Sequence, residues 1–451
     1  MSERLVQDAL AREVARTTFG RPVVLRAGAG TGKTAALVAR IISWICGEGW
    51  EASVVAIGAT ATESQIAART LTRVVAITFT EAAAAEMAER VAEALHDLGR
   101  ECAVIGVPQD SLPPEASARA LLLLAAVDQM EVRTIHSWCR RLLVQFPIEA
   151  GIHPSFDVDT EEELLERVVR DATEAHLTTM LEGEGAAQLL RLFELEGERG
   201  PADIEKAVVG LLRESVGPDV LEANPWAQHH LDALWLRVRN GITEALQLVD
   251  GALDDVSRAK NGQKLCAGLA VFRSALEPGM AVGDVQAALS ESLPSNLISH
   301  LSKAWSRRDG GRGEMDALEH IAAPLSRTAE PLYAGLRCIE GLDEEGHTLA
   351  KNILAPIVEQ AHRVLRAKGI LVFSDLLTKA AELLKNRSVA ARVRAGIDQL
   401  LVDEFQDTDP RQCDLVRAIA LEGEVSARPG LFIVGDPKQS IYGWRSADLR
   451  A

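Results

Sequence analysis

A parallel α/β sheet carrying a phosphate-binding loop, interrupted by a large, mostly α-helical insertion, is the fold class this sequence predicts. Three observations carry it. Short runs that are apolar on both faces stand near both ends of the chain, as in strands covered by helices on each side. Each run leads directly into a polar or glycine-rich segment, where ligands bind in open α/β sheets. Between about residues 141 and 395, apolar residues instead recur at helical spacing.

The strand-length runs are Pro22–Leu25 and Val74–Ile77 near the N-terminus, and Leu400–Val402 and Leu431–Val434 near the C-terminus. After the first run comes AGAGTGKT (Ala27, Gly28, Ala29, Gly30, Thr31, Gly32, Lys33, Thr34), followed by the helical run Ala35–Ile42. Strand, loop and helix form the context a phosphate-binding loop requires. The glycines let the backbone curl so that successive N–H groups face phosphates, and the helix N-terminus adds its positive dipole end. Lys33 is placed to reach the β- and γ-phosphates of ATP, and the Thr34 hydroxyl to ligate Mg²⁺. Ala27 stands where the usual pattern begins with glycine. The competing reading is a glycine-rich turn with a chance lysine.

In the middle of the chain, Thr160–Glu163 reads as a capping box that opens a helix through Leu164, Leu165, Val168, Val169 and Ala172. Leu231, Leu234, Trp235, Val238, Ile242, Leu246 and Val249 repeat the pattern, and strand-like runs are nearly absent. The expected organisation is therefore residues 1–140 as the first half of an ATPase domain, 141–395 as the insertion, and 396–451 as the return to that domain.

Composition narrows the function classes. The chain has 451 residues, 47% hydrophobic and 25% charged, which excludes disorder along its whole length. Its formal charge of −17 repels polyanions globally, so nucleic-acid contact requires a local groove. Six scattered cysteines with no C-x-x-C argue against a disulfide framework or zinc cluster. The longest apolar run, ALLLLAAV at 120–127, falls far short of the roughly 20 residues a spanning helix needs. A cytoplasmic protein without membrane association is expected.

The run at 400–408, LLVDEFQDT, ends a strand in Asp403 and Glu404. Beside a phosphate-binding loop, Asp403 can hold Mg²⁺, while Glu404 can polarise the water that attacks the γ-phosphate. Taken alone, the same pair could be a solvated turn. The run at 433–448, IVGDPKQSIYGWRSAD, takes another strand into a Gly-Asp-Pro turn. Gln439 offers an amide that can sense a γ-phosphate oxygen. Tyr442 and Trp444 offer flat π-faces for bases, and Arg445 a charge for phosphate or cation–π contact. A core role is the alternative for Trp444.

Together these motifs resemble the UvrD/Rep family of superfamily 1 DNA helicases. AGAGTGKT resembles its motif I, ITFTEAAAAEMAERV (77–91) motif Ia, and TIHSWCRRLL (134–143) the next DNA-facing motif. VDEFQDTDPRQ and VGDPKQSIYGWRSAD resemble motifs II and III. FPIEAGIHPSFDVDTEEELLERV (146–168) and LVFSDLL (371–377) are similar to segments of the RecB/AddA-like branch, which works in recombinational repair. The resemblance implies a RecA-like domain and a 3′–5′ DNA helicase or translocase using ATP and Mg²⁺. Lys33, Glu404 and Gln439 would be its catalytic residues. Single-stranded or duplex DNA, with a nuclease or second repair subunit, would be its partners. Motif Ia carries over Thr78, Phe79 and Thr80 to the single-strand groove, and His136, which follows a strand-like step, faces DNA by the same resemblance. From the residues alone, Phe79 could equally be core, and His136 a hydrogen-bonded structural histidine.

Three departures stand out. Gln7 is the only nearby candidate for the family's adenine-reading glutamine, Ala82 stands where relatives often have a basic residue, and the chain ends seven residues after Trp444. The second RecA-like lobe, with its arginines, has no counterpart in these 451 residues, as expected of a fragment of a longer protein or of a truncated gene product. Competing readings are a repair ATPase without unwinding activity, and a module that binds ATP and DNA without cycling.

Overall fold

The computed structural model describes residues 3–28, 30–58, 60–196, 200–223, 227–251, 283, 286–287 and 343–436. Ala29, Gln439, Tyr442, Trp444 and Arg445 lie outside the described residues.

The central sheet has five parallel strands. They are β1 (Val23–Arg26), β2 (Val74–Thr78), β3 (Glu131–Thr134), β6 (Gln399–Val402) and β7 (Gly430–Gly435), in the order β1-β7-β6-β2-β3. The two strands from the C-terminal part of the chain thus sit between the first two from the N-terminal part. All four apolar runs become strands. β3 is not among those runs, because its sequence EVRT is short and charged, as an edge position allows. A separate two-stranded parallel ladder joins β4 (Asp157–Asp159) to β5 (Ile370–Val372).

Side-chain alternation sorts the strands onto two cores. Val74, Ala76, Leu401, Phe432 and Val434 join Leu37, Ile41, Ile42 and Ile45 of helix Lys33–Cys46, with Met87, Val91 and Leu95 of helix Glu81–Gly99. Val75, Ile77, Leu400, Val402 and Leu431 face the opposite way. They meet Trp138 and Leu142 of helix Ile135–Gln145, Leu376 and Leu383 of helix Asp375–Lys385, and Leu415 and Ile419 of helix Pro410–Ala420. Each fully buried Leu, Ile or Val contributes about 1.5–3 kcal/mol through removal from water.

The chain divides into two compact units: residues 1–171 with 209–215 and 360–451, and residues 172–208 with 216–359. Between β4 and β5 the described elements are all helices: Glu163–Glu182, Ala186–Glu196, Pro201–Arg213, Pro218–Glu222, Gln228–Gly251 and Glu344–Ala367. The first starts at Glu163, after Glu162 in a left-handed conformation (φ 61°). Its early N–H at Leu165 donates to Asp159 Oδ2 at 2.7 Å. The capping box expected at Thr160 is therefore replaced by an aspartate at the end of β4. Among the described residues no helix is long and apolar enough to cross a membrane.

One buried cation ties helix Glu3–Thr17 to the sheet. Arg40 donates through Nη1 to Ala15 O (2.7 Å), and through Nη2 to Thr18 O (2.8 Å) and Gln399 Oε1 (3.2 Å). Its guanidinium lies over the rings of Phe19 and Phe432, at 4.8 and 4.7 Å. Burial pushes its pKa down to about 10, leaving it charged at neutral pH. Arg40→Met keeps much of the volume but orphans two carbonyls and Gln399. A loss of about 2–4 kcal/mol is expected, read as a fall in denaturant midpoint at unchanged slope. An unchanged midpoint would show that these bonds contribute nothing net.

Candidate functional site

The C-terminal ends of the five parallel strands carry most of the sequence-predicted residues, and the strand order sorts them. The phosphate-loop residues follow β1, Asp436 follows β7, and Asp403 and Glu404 follow β6. Thr78–Thr80 end β2 or follow it, and Thr134–His136 end β3 or follow it. Among the described residues, those expected to meet nucleotide thus stand on one side, and those expected to meet DNA on the other.

The loop after β1 is held by the ladder itself, for the Ala27 N–H donates to Gly435 O at 3.3 Å. Thr31 folds back, its hydroxyl donating to Gly28 O at 2.7 Å. Gly30 and Gly32 take φ of 71° and 90°, a left-handed backbone that side chains disfavour, and Gly32 caps helix Lys33–Cys46. This helix start has no side-chain cap, which leaves its first N–H groups for a ligand. Lys33 and Thr34 occupy the first helical turn.

Across the loop, Lys33 Nζ donates to Glu404 Oε2 at 2.7 Å, joining residues 371 positions apart. Glu404 has φ 49° and ψ 42°, a left-handed conformation rare outside glycine and concentrated at functional sites. Its N–H donates to Asp403 Oδ1 at 2.9 Å. Burial raises the Asp403 pKa above the ordinary aspartate value. The Glu404 N–H opposes that shift, the Glu404 charge adds to it and Lys33 opposes it. A carboxylate whose charge is disfavoured by burial is suited to a cation. Among the described residues no group of three or more His, Cys, Asp or Glu side chains is placed to hold a metal ion by itself. One carboxylate and one hydroxyl completed by phosphate oxygens is nevertheless a donor set that fits Mg²⁺.

Gln406 lies within the acidic motif, where spacing alone assigns it no role. It is 7% exposed, donates through Nε2 to Glu404 Oε2 (2.7 Å) and Asp407 Oδ2 (3.2 Å), and accepts the Asp436 N–H at 2.8 Å. A Cβ on Gly435 would lie 2.8 Å from Gln406 Oε1, so glycine there permits the two strand exits to close on each other. Arg12 is a second residue that the motifs do not reveal. It pairs with Asp8 at 2.9 Å and brings Nη2 within 3.5 Å of Thr31 O, and its only sequence signal is the i,i+4 spacing. Gln7 lies on the same helix, Glu3–Thr17.

On the other side, Thr78 and Thr134 are register partners. Thr78 is buried and its hydroxyl donates to Thr80 O at 3.1 Å, so its first task is to shape the turn. Phe79 is half-buried and Thr80 exposed. Thr80 and Thr134 each cap a helix, accepting from Ala83 and Ser137 N–H groups. His136 stacks on Phe373, with ring centroids 4.2 Å apart and planes 21° apart. Phe373, within the LVFSDLL run, is 41% exposed.

The family model for the UvrD/REP helicase N-terminal domain matches residues 9–451. The chain belongs to the UvrD/REP helicase family. It is 26% identical to a subunit of the ATP-dependent helicase/nuclease of Lacticaseibacillus casei, over 98% of this chain and 36% of that protein. It is 28% identical to the protein of the same name from Geobacillus thermodenitrificans, over 95% of this chain and 35% of the relative. The chain thus spans about a third of the length of these curated relatives. Their names agree with the RecB/AddA-like branch that the sequence resembles.

Burial lowers the His136 pKa below the ordinary histidine value. Asp409 opposes that shift and Arg411 reinforces it, so the ring is neutral at pH 7. A histidine with a depressed folded pKa binds more protons unfolded, so stability falls as pH drops through the ordinary histidine range. Acidification from pH 7 to 5 is expected to lower the melting temperature more in the parent than in His136→Gln. Equal losses would place the acid sensitivity elsewhere.

Proposed function

We propose that this chain is the first motor domain of an ATP-dependent 3′–5′ DNA helicase or translocase acting in DNA repair and recombination. Residues 1–140 and 396–451 would build its RecA-like lobe and residues 141–395 a mostly helical insertion. The observation that carries the reading is the meeting of Lys33 with Glu404 at 2.7 Å, beside Asp403 and the uncapped helix start. In this reading that geometry would join a phosphate cradle, a cation site and a candidate base at the C-terminal ends of the strands.

In this reading Gly28–Thr34 bind the phosphates of ATP through backbone N–H groups, and Lys33 faces the β- and γ-phosphates. Thr34 and Asp403 would hold Mg²⁺, which neutralises phosphate charge when bound. Glu404 accepts a proton from the attacking water, with Gln439 set to sense the γ-phosphate. Thr78, Phe79, Thr80 and His136 would line the path of single-stranded DNA, joined by Tyr442, Trp444 and Arg445. Phe373, exposed and stacked on His136, would add a second ring beside that histidine. With a net charge of −17, stacking and local contacts must carry this binding.

The matched model is that of an N-terminal domain, and helicase action requires two lobes that close on nucleotide and grip DNA in turn. A second lobe would supply the arginines that contribute roughly 10³–10⁵ in rate. Residues 1–451 alone are therefore expected to bind Mg·ATP and single-stranded DNA weakly, and to hydrolyse ATP slowly without unwinding. A nuclease or second repair subunit is the partner this reading implies.

Binding and chemistry separate by substitution. Lys33→Ala should markedly weaken Mg·ATP affinity measured by calorimetry. Glu404→Gln should leave affinity near the parent value while DNA-stimulated turnover in the two-lobed protein falls about 10²-fold or more. Unchanged affinity in the first variant would remove the phosphate assignment. Near-normal turnover in the second would move the base elsewhere.

A further inference from the structure

Glu404 presents a positioning problem. Its left-handed backbone (φ 49°, ψ 42°) takes it out of the strand, so the pleat of β6 does not direct its side chain. Two donors direct it instead, and both reach the same atom: Lys33 Nζ and Gln406 Nε2 each lie 2.7 Å from Oε2. Lys33 cannot serve both Glu404 and the phosphates at full strength. Under the proposed reading it turns towards the nucleotide once that is bound. Gln406 is then the remaining donor to Oε2 among the described residues.

Gln406 is built for that task. Its Oε1 accepts the Asp436 N–H at 2.8 Å, which fixes the amide so that Nε2 faces the carboxylates. The reversed amide would point Oε1 at Glu404 and Asp407, two acceptors with no proton to offer. Burial and the close approach of Gly435 restrict the side chain further. Gln406 thus ties the exit of β6 to the exit of β7 through Glu404 and Asp436.

We propose that Gln406 is a positioning residue for hydrolysis, holding the Glu404 carboxylate in place once Lys33 has turned to the phosphates. This rests on the reading of Glu404 as the base. In this role it acts through Glu404 and not on the reacting atoms. A neutral amide suits the role, for it donates without protonating Glu404, whereas a lysine would compete as a second cation.

The test is a double-mutant cycle in the two-lobed protein, reading DNA-stimulated turnover and Mg·ATP affinity. Gln406→Met keeps the length of the side chain and removes its hydrogen bonds. It should lower kcat about 10- to 100-fold, with affinity within about twofold of the parent. Added to Glu404→Gln, it should cost almost nothing more, because the group it positions no longer acts as a base. Losses that multiply across the cycle, or an affinity loss matching the turnover loss, would overturn the proposal. If Gln406→Met does not fold, Gln406→Asn is read in the same cycle, since its shorter amide also loses the bridge. Near-parent turnover in a folded variant would likewise overturn it. Full turnover in Glu404→Gln alone would instead remove the base assignment, so the two failures are distinguishable.

Discussion

The seating of β6 and β7 between β1 and β2 is the constraint on which the candidate site depends. Parallel pairing aligns Leu25 with Val434, Leu401 with Phe432 and Ala76 with Leu401, so strand ends arrive at one edge together. Only then can Lys33 reach Glu404 across 371 positions of sequence. The apolar alternation that buries these strands between two helical layers is therefore also what sets the chemistry in register. A one-residue slip would turn every side chain to the other core and draw the carboxylates out of reach.

The strand order carries a second consequence. Among the described residues, those that follow β1 and β6 face the nucleotide in the proposed reading, and those of β2 and β3 face DNA. The β6–β2 ladder lies where the two groups meet, and Asp403 continues that ladder by donating its N–H to Ile77 O at 2.9 Å. Asp403 thus bonds to the residue immediately before Thr78.

Much of this is legible in the sequence because the signals are local. Gly30, Gly32 and Lys33 declare their loop by spacing, and four apolar runs declare their strands. β3 shows only as the strand-like step before His136, because an edge strand of four residues needs no apolar pattern. The cap of helix Glu163–Glu182 differs from expectation because Asp159, six residues before Leu165, supplies the acceptor in place of Thr160. Gln406 and Phe373 stand inside recognisable motifs, yet Asp436 and His136, which they also meet, come from other elements, which no spacing rule reports. The −17 net charge likewise hides the local grouping of residues at the sheet edge.

The most direct test of the account is a crystal structure of the chain with Mg²⁺ and a non-hydrolysable ATP analogue. The account predicts phosphates in the loop 27–34, with Lys33 turned to them. It further predicts that Gln406 still donates to Glu404, and that the Glu404 backbone remains left-handed. A nucleotide bound away from the β1 and β6 strand ends, or Lys33 still paired with Glu404 while phosphates fill the loop, would contradict it.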